Sequence, residues 1–338
     1  MKLRILAGAA LLAALSPAAA ERGGSFRDWT LSCTPGLLCT AATFPQGGRE
    51  LTSFGLERGA SEDAPVRLLL GLGEDHALSG DVAVKVDGAD TLTLPASAFT
   101  KDTETQLSAR HEGIRAILVP RFKNGTSVEV TARLGGRDVS QVFSLSGVVA
   151  TLRKMDDDQR RIGTQTALVD RGDKPLPDRS ALPQDVAAPD DLPAPVRALW
   201  EGAGGCSDRD PDAFGDLGFS VPFGTDARLF VLACGMPGAY NAPSRLFSLS
   251  GDAADIVPLA TMTADGPAAD LMAWNVDLQG DRLSSFFKGR GIGDCGQTAT
   301  WRIDTEAGAV ILTEAREKAD CDGEGGDPAE WPLLWPKR

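Results

Sequence analysis

Along this chain, apolar and polar residues alternate far more often than they recur at helical spacing, which marks it as built mainly of half-buried strands. Phe26-Arg27-Asp28-Trp29-Thr30-Leu31-Ser32-Cys33 alternates as one strand, Pro35-Gly36 supplies the turn after it, and Cys39 closes it. Further strands are expected at 66–72, 82–86, 92–94, 127–133 and 141–145, separated by turns such as Asp87-Gly88 and Gly135-Gly136. One helix is expected to end at Asn124-Gly125, with glycine as a left-handed cap and Pro120 within or just before it. From Val149 the period lengthens. Val149, Leu152, Met155 and Ile162 share one helical face, and Asp156-Asp157-Asp158 with Arg160-Arg161 fall largely on the other, expected to be solvated.

Six prolines between 175 and 195 then predict an extended connector. A short helix follows, with Pro195 in its first turn, Val196, Leu199 and Trp200 inward and Gly202 at its end. The remainder reads as a meander. Residues 227–234 pair with 245–249, and Met272, Trp274, Val276 and Leu278 alternate with polar or small neighbours. Gly280-Asp281 turns the chain into 283–287, and Glu306-Ala307-Gly308 joins 300–303 to 310–312. The tail Trp331-Pro332-Leu333-Leu334-Trp335-Pro336 is apolar enough to dock. The expected fold is mainly β with a few helices, in two disulfide-stapled domains. Residues 21–170 form a β sandwich or barrel with a helix, 171–195 a Pro-rich linker, and 196–338 an antiparallel β meander.

The first twenty residues stand outside this pattern. Lys2 and Arg4, the apolar run 5–15 and Ala18-Ala19-Ala20 have the form of a secretory signal peptide, with cleavage expected after Ala20. That run is too short to span a bilayer, and no later segment supplies a membrane span. The formal net charge is −13, and losing the leader removes two cations and no acid. Such a chain is repelled by phosphate backbones, so nucleic acid is excluded as a natural partner. In an exported chain six cysteines read as three disulfides. Cys33 and Cys39 are close to each other and far from the rest. Of the three arrangements left, Cys206–Cys234 and Cys295–Cys321 are preferred, because the 300–312 hairpin brings Cys295 back towards Cys321.

The densest run of special residues is Lys288-Gly289-Arg290-Gly291-Ile292-Gly293-Asp294-Cys295-Gly296. Gly291, Gly293 and Gly296 match the spacing of the dinucleotide fingerprint, but that motif must open a helix and here a strand follows, so no cofactor is assigned. The glycines with Lys288 and Arg290 form a candidate anion site, weighed against a glycine-shaped corner held by its disulfide. Tyr240, the single tyrosine, sits in the Gly-rich turn 235–241, where its ring could stack on a ligand or pack locally. No metal site is assigned. There is no C-x-x-C, and neither His76 nor His111 is near a cysteine in sequence. Asp208-Arg209-Asp210-Pro211-Asp212 opens like a calcium loop but carries Ala213 and Phe219 where glycine and glutamate are needed. No Gly-x-Ser-x-Gly occurs, and both histidines precede Cys206, which leaves a cysteine nucleophile in the second half with no local base.

Residues 159–168, Cys234-Gly235 with Gly238-Ala239-Tyr240-Asn241, the run 288–296 and Trp331-Pro332 together resemble a family of exported six-cysteine proteobacterial proteins, domain of unknown function 1176. Through Trp29, Cys33, Cys39 and Ser144-Leu145-Ser146-Gly147, the first domain is also distantly similar to invasion-associated locus B proteins. The resemblance implies a Gram-negative periplasmic address and no activity. The sequence thus points to a non-enzymatic binding or envelope-interaction module whose partner is an envelope component or a small ligand. The alternative is a hydrolase with paired carboxylates at the domain junction.

Overall fold

Trp29 shows how alternation becomes a core. Its ring is fully buried, edge-on to Phe54 at 6.3 Å, and its Nε1 donates to Ser144 O at 2.8 Å. The computed structural model describes residues 23–336 apart from 46, 177, 207–216 and 325. The leader 1–20 and the calcium-like stretch 208–212 lie outside the described residues. The N-terminal half contains β1 (Gly24–Phe26), β2 (Trp29–Cys33), β3 (Cys39–Thr43), β4 (Leu51–Arg58), β5 (Arg67–Leu72), β6 (Leu78–Val86), β7 (Ala89–Pro95), β8 (Phe99–Thr103), β9 (Gln106–Arg110), β10 (Ser127–Leu134) and β11 (Arg137–Ser144). They form a seven-stranded sheet, β1-β2-β3-β4-β5-β9-β8, and a four-stranded sheet, β11-β10-β6-β7. Both contribute to one core, where Phe54 meets Phe122 and Phe143. A π-helical turn, Ile114–Leu118, runs into α1 (Val119–Phe122), and α2 (Val148–Asp158) closes the half.

Four local expectations are corrected here. Residues 26–33 are not one strand, because the chain turns at Arg27 (φ 56°) and β1 folds back on β2. Gly125 has no left-handed φ; it is pressed instead between Val86 and Leu145, where a Cβ would lie 2.6 and 2.8 Å from their methyls. Val149 is exposed, and the inward face of α2 is Val148, Thr151, Leu152, Met155 and Asp156. The charged run is only partly solvated: Asp156, Gln159 and Arg161 are buried. Four strands without strong alternation, β3, β4, β8 and β9, complete the large sheet.

Residues of the proline-rich stretch are woven into the second half. After β12 (Gln184–Val186) and α3 (Ala194–Glu201) come β13 (Gly218–Pro222), β14 (Ala227–Ala233), β15 (Pro243–Ser250) and β16 (Ala253–Ile256), in one antiparallel sheet of that order. β14 is buried on both faces. Leu229 and Val231 join a core shared with Leu283, Trp301 and Ile303, whereas Phe230 and Leu232 meet Val196 and Trp200 of α3. The period-2 alternation of a strand thus explains why 229–233 is a continuous apolar run. β17 (Leu259–Thr263) pairs with β18 (Gly266–Asp270), and the short β19 (Ala273–Trp274) joins β15. The remaining sheet is β20 (Asp277–Gln279), β21 (Arg282–Lys288), β22 (Gly296–Asp304), β23 (Ala309–Lys318) and β24 (Leu333–Trp335). The alternation at 272–278 is therefore two strands in different sheets, broken at Asn275 (φ 45°). The tail docks as β24 on β23, with Trp331 buried.

Disulfides join Cys33–Cys39, Cys206–Cys234 and Cys295–Cys321. The first holds the β2–β3 hairpin whose tip meets β12: Thr34 Oγ1 and Gly36 N–H both donate to Asp185, each at 2.7 Å. A Cβ on Gly36 would fall 2.0 Å from Asp185 N, so only glycine fits this contact. Gly36→Ala should destabilise the protein by about 1–3 kcal/mol through forced displacement. Chemical denaturation checks this, and an unchanged midpoint would show that the contact carries no weight.

Candidate functional site

Two asparagines hold the loop that the sequence singles out. Asn241 Nδ2 donates to Lys288 O and its Oδ1 accepts from Lys288 N–H, each at 2.9 Å. Asn275 Nδ2 donates to Tyr240 O at 3.0 Å and Phe286 O at 2.8 Å, so turn 235–241 and the end of β21 become one unit. Tyr240 lies over Gly291, where a Cβ would be 3.4 Å from its ring, and it is 40% exposed. Gly289 lies against the Cys295–Cys321 bridge, with room for no side chain: a Cβ would be 2.7 Å from Cys295 Sγ.

The structure thus brings Lys288, Arg290 and Tyr240 together, but Arg290 is engaged within the protein. Its Nε donates to Asp294 Oδ1 at 2.7 Å and its Nη2 to Oδ2. Asp294 is inaccessible and also accepts from Gly323 N–H at 2.7 Å, which ties the loop to the segment after Cys321. Lys288 Nζ sits 5.6 Å from the Phe286 ring centre. These contacts describe a corner closed by a disulfide and a fork-shaped ion pair.

A second set of charges surrounds a buried network. Arg58 Nη2 meets Asp156 Oδ1 at 2.6 Å, its Nε donates to Gln159 Oε1 at 3.0 Å, and its Nη1 donates to Thr166 O at 2.9 Å. Asp156 also accepts from the N–H groups of Leu168 and Val169. Gln159 Nε2 donates to Leu37 O, at the Cys33–Cys39 hairpin tip, and to Arg58 O. Burial pushes the Arg58 pKa down, while its attraction to Asp156 raises it and the charge of Arg115 lowers it again. Arg161 donates to Thr166 Oγ1 at 2.6 Å, to Ala60 O at 3.0 Å and to Ser61 O. Burial and then the charge of Arg58 push its pKa down to about 10, so it remains cationic at neutral pH.

Through Arg161 the network fixes the start of loop 59–63, and that loop borders a densely charged recess of the N-terminal half. The recess holds about 580 Å³ between residues 62–66, Arg110–Ala116 and Arg171. Arg115 donates to Gln165 O at 2.9 Å and Arg171 Nε to Ala167 O at 3.0 Å, which orients both from the segment after α2. His111 Nδ1 accepts from Gly113 N–H at 3.0 Å, which places the proton of the neutral ring on Nε2. Among the described residues, Arg110, Arg115 and Arg171 make no ion pair, nor do Glu62, Asp63 and Glu112.

Sequence reasoning missed this recess because it tested His111 only against cysteine. The signal available was the run Arg110-His111-Glu112 at a strand end, a dense set of chemistry-bearing side chains. A further recess of about 470 Å³ lies where the halves meet, lined in part by Arg160, Pro183, Asp281 and Thr305.

The Asp294 carboxyl is held well below the ordinary value of 3.8, first by the Arg290 hydrogen bonds and, against the opposing cost of burial, by Gly323 N–H. A depressed folded-state pKa contributes stability that is complete above the unfolded value and is lost as pH falls towards the folded one. Asp294→Asn should therefore lower the melting temperature at pH 6 and converge on the native protein towards pH 2. A melting series that shows a constant gap across this range would contradict the assignment.

Comparison with known proteins adds the following. The uncharacterized protein YpfG of Escherichia coli K12 is 28% identical over 347 residues, covering 94% of this chain and 93% of that protein. The crystal structure of invasion associated protein B from Bartonella henselae matches 41% of this chain and 98% of its own, with 12% identity and a TM-score of 0.32. Residues 24–338 match a family described as protein of unknown function (DUF1176), and the chain belongs to that family.

Proposed function

We propose that this is a non-enzymatic binding protein of the periplasm, exported through its N-terminal leader and divided at the proline-rich segment into two domains. The observation that carries the binding role is the recess beside Arg110, Arg115 and Arg171, where three cations and three carboxylates line one concavity and, among the described residues, form no ion pair. Charged groups on a protein surface usually meet a counter-charge or stay dispersed. Their convergence on one concavity of small-molecule size supports a ligand site. Three disulfides fit an oxidising compartment. No helix of the described residues is long and apolar enough to cross a membrane.

Hydrolysis by paired acids at the junction has less support. Among the described residues lining the recess beside Arg160 and Thr305, Asp281 is the one carboxylate, and that chemistry needs two.

A thermal-shift screen of small charged metabolites, run on the native chain and on Arg110→Ala/Arg171→Ala, tests the binding role. A ligand at a hundredfold excess over its Kd contributes about 2.7 kcal/mol, a clear rise in melting temperature. The expected result is a saturable rise in the native protein, absent from the variant, with the compound recovered unchanged. Turnover, or an equal rise in both proteins, would overturn it.

A further inference from the structure

The recess has two sets of charges that fail to meet. Glu62 and Asp63 come from the loop between β4 and β5, and Arg110 and Arg115 from the end of β9 and the π-helical turn after it. Arg171 arrives from the segment after α2. Opposite charges in one recess attract, yet among the described residues no ion pair within 4.0 Å forms between these sets. The scaffold keeps them apart on both sides. Arg161 holds the carbonyls of Ala60 and Ser61, just before the acids, while Gln165 O and Ala167 O hold Arg115 and Arg171. The acidic loop of Glu62 and Asp63, and a mainly basic wall of Arg110, Arg115 and Arg171 that also carries Glu112, put both signs in one recess and match a ligand that carries both.

We propose that the recess binds a zwitterionic short peptide, with the terminal carboxylate on Arg110 and Arg171 and the terminal ammonium on Glu62 and Asp63. This ligand class rests on the binding role proposed above. A planar guanidinium presents forked donors that match a carboxylate, and Arg171 keeps its Nη groups for that purpose because only Nε is bonded to the backbone. Apart from the charged groups and His111, the lining is Ala64, Pro65, Val66 and Ala116, small and apolar, which suits short side chains such as alanine. The roughly 580 Å³ leaves room for more than a single amino acid. Capture of a peptide's terminal carboxylate or amine is an established mode of recognition, and an arginine fork supplies charge-matched donors for the carboxylate. The anionic body of the protein disfavours a purely anionic ligand.

Isothermal calorimetry with dialanine, N-acetyl-dialanine, dialanine amide, succinate and 1,4-diaminobutane tests this in the intact protein. The expected result is saturable binding of dialanine that weakens at least tenfold when either terminus is blocked. Glu62→Gln/Asp63→Asn should erase the penalty for acetylation, and Arg110→Ala/Arg171→Ala the penalty for amidation. These substitutions are exposed, and circular dichroism melts confirm that the variants fold. Equal binding of blocked and free dialanine overturns the ligand class. Binding of succinate or diaminobutane without dialanine also overturns it but leaves the binding role standing. Failure of all five probes to bind overturns the ligand class, whereas the binding role then rests on the metabolite screen alone.

Discussion

A carboxylate and a guanidinium buried together at the end of α2 set the terms for the N-terminal half. Neither Arg58 nor Asp156 has water to solvate it, and burying a charge is costly unless it is paired and hydrogen-bonded. Each requirement pins another segment. Arg58 takes Thr166 O, Asp156 takes the amides of Leu168 and Val169, and Gln159 reaches to the tip of the β2–β3 hairpin. Four separate stretches of backbone converge on one polar knot. The knot therefore orders the chain where β structure alone would leave loops, and it joins the large sheet to the segment that follows α2.

The consequences extend in two directions. Towards the second half, the hairpin tip that Gln159 grips is the same tip that meets Asp185 of β12. Towards the surface, Arg161 and the carbonyls of residues 165 and 167 hold the walls of the charged recess. The second half relies on a different principle. Its central strand β14 is apolar on both faces, and two cores share it. One disulfide, Cys206–Cys234, lies at the end of β14, and another, Cys295–Cys321, at one end of the β20–β24 sheet.

What the sequence disclosed follows from which forces leave a local trace. The apolar pattern located β5, β6, β7, β10, β15, β21, β22 and β23, and a continuous apolar run located β14, which is buried on both faces. The pattern failed for β4, where Leu51-Thr52-Ser53-Phe54-Gly55-Leu56-Glu57-Arg58 ends in two charged residues that are nonetheless buried. The charged stretch 156–161 was misread for the same reason. A helical wheel assigns charge to solvent, whereas Asp156 and Arg161 are satisfied by partners about 100 residues away or by backbone carbonyls. Cysteine spacing was legible because proximity and a hairpin limit the pairings. The glycine-rich loop was legible as a special backbone path, but Asp294 was hidden as the partner of Arg290. Of the recess only the run Arg110-His111-Glu112 left a local trace, because its walls come from three stretches brought together by the fold.

If the knot is the constraint on which the N-terminal half depends, its two charges must be worth far more together than apart. A double-mutant cycle with Arg58→Met and Asp156→Leu, followed by chemical denaturation, measures this directly. The account predicts that each single substitution costs about 3–5 kcal/mol by stranding a buried charge, and that the double substitution costs much less than their sum. Additive losses would contradict it and reduce the pair to two independent contacts.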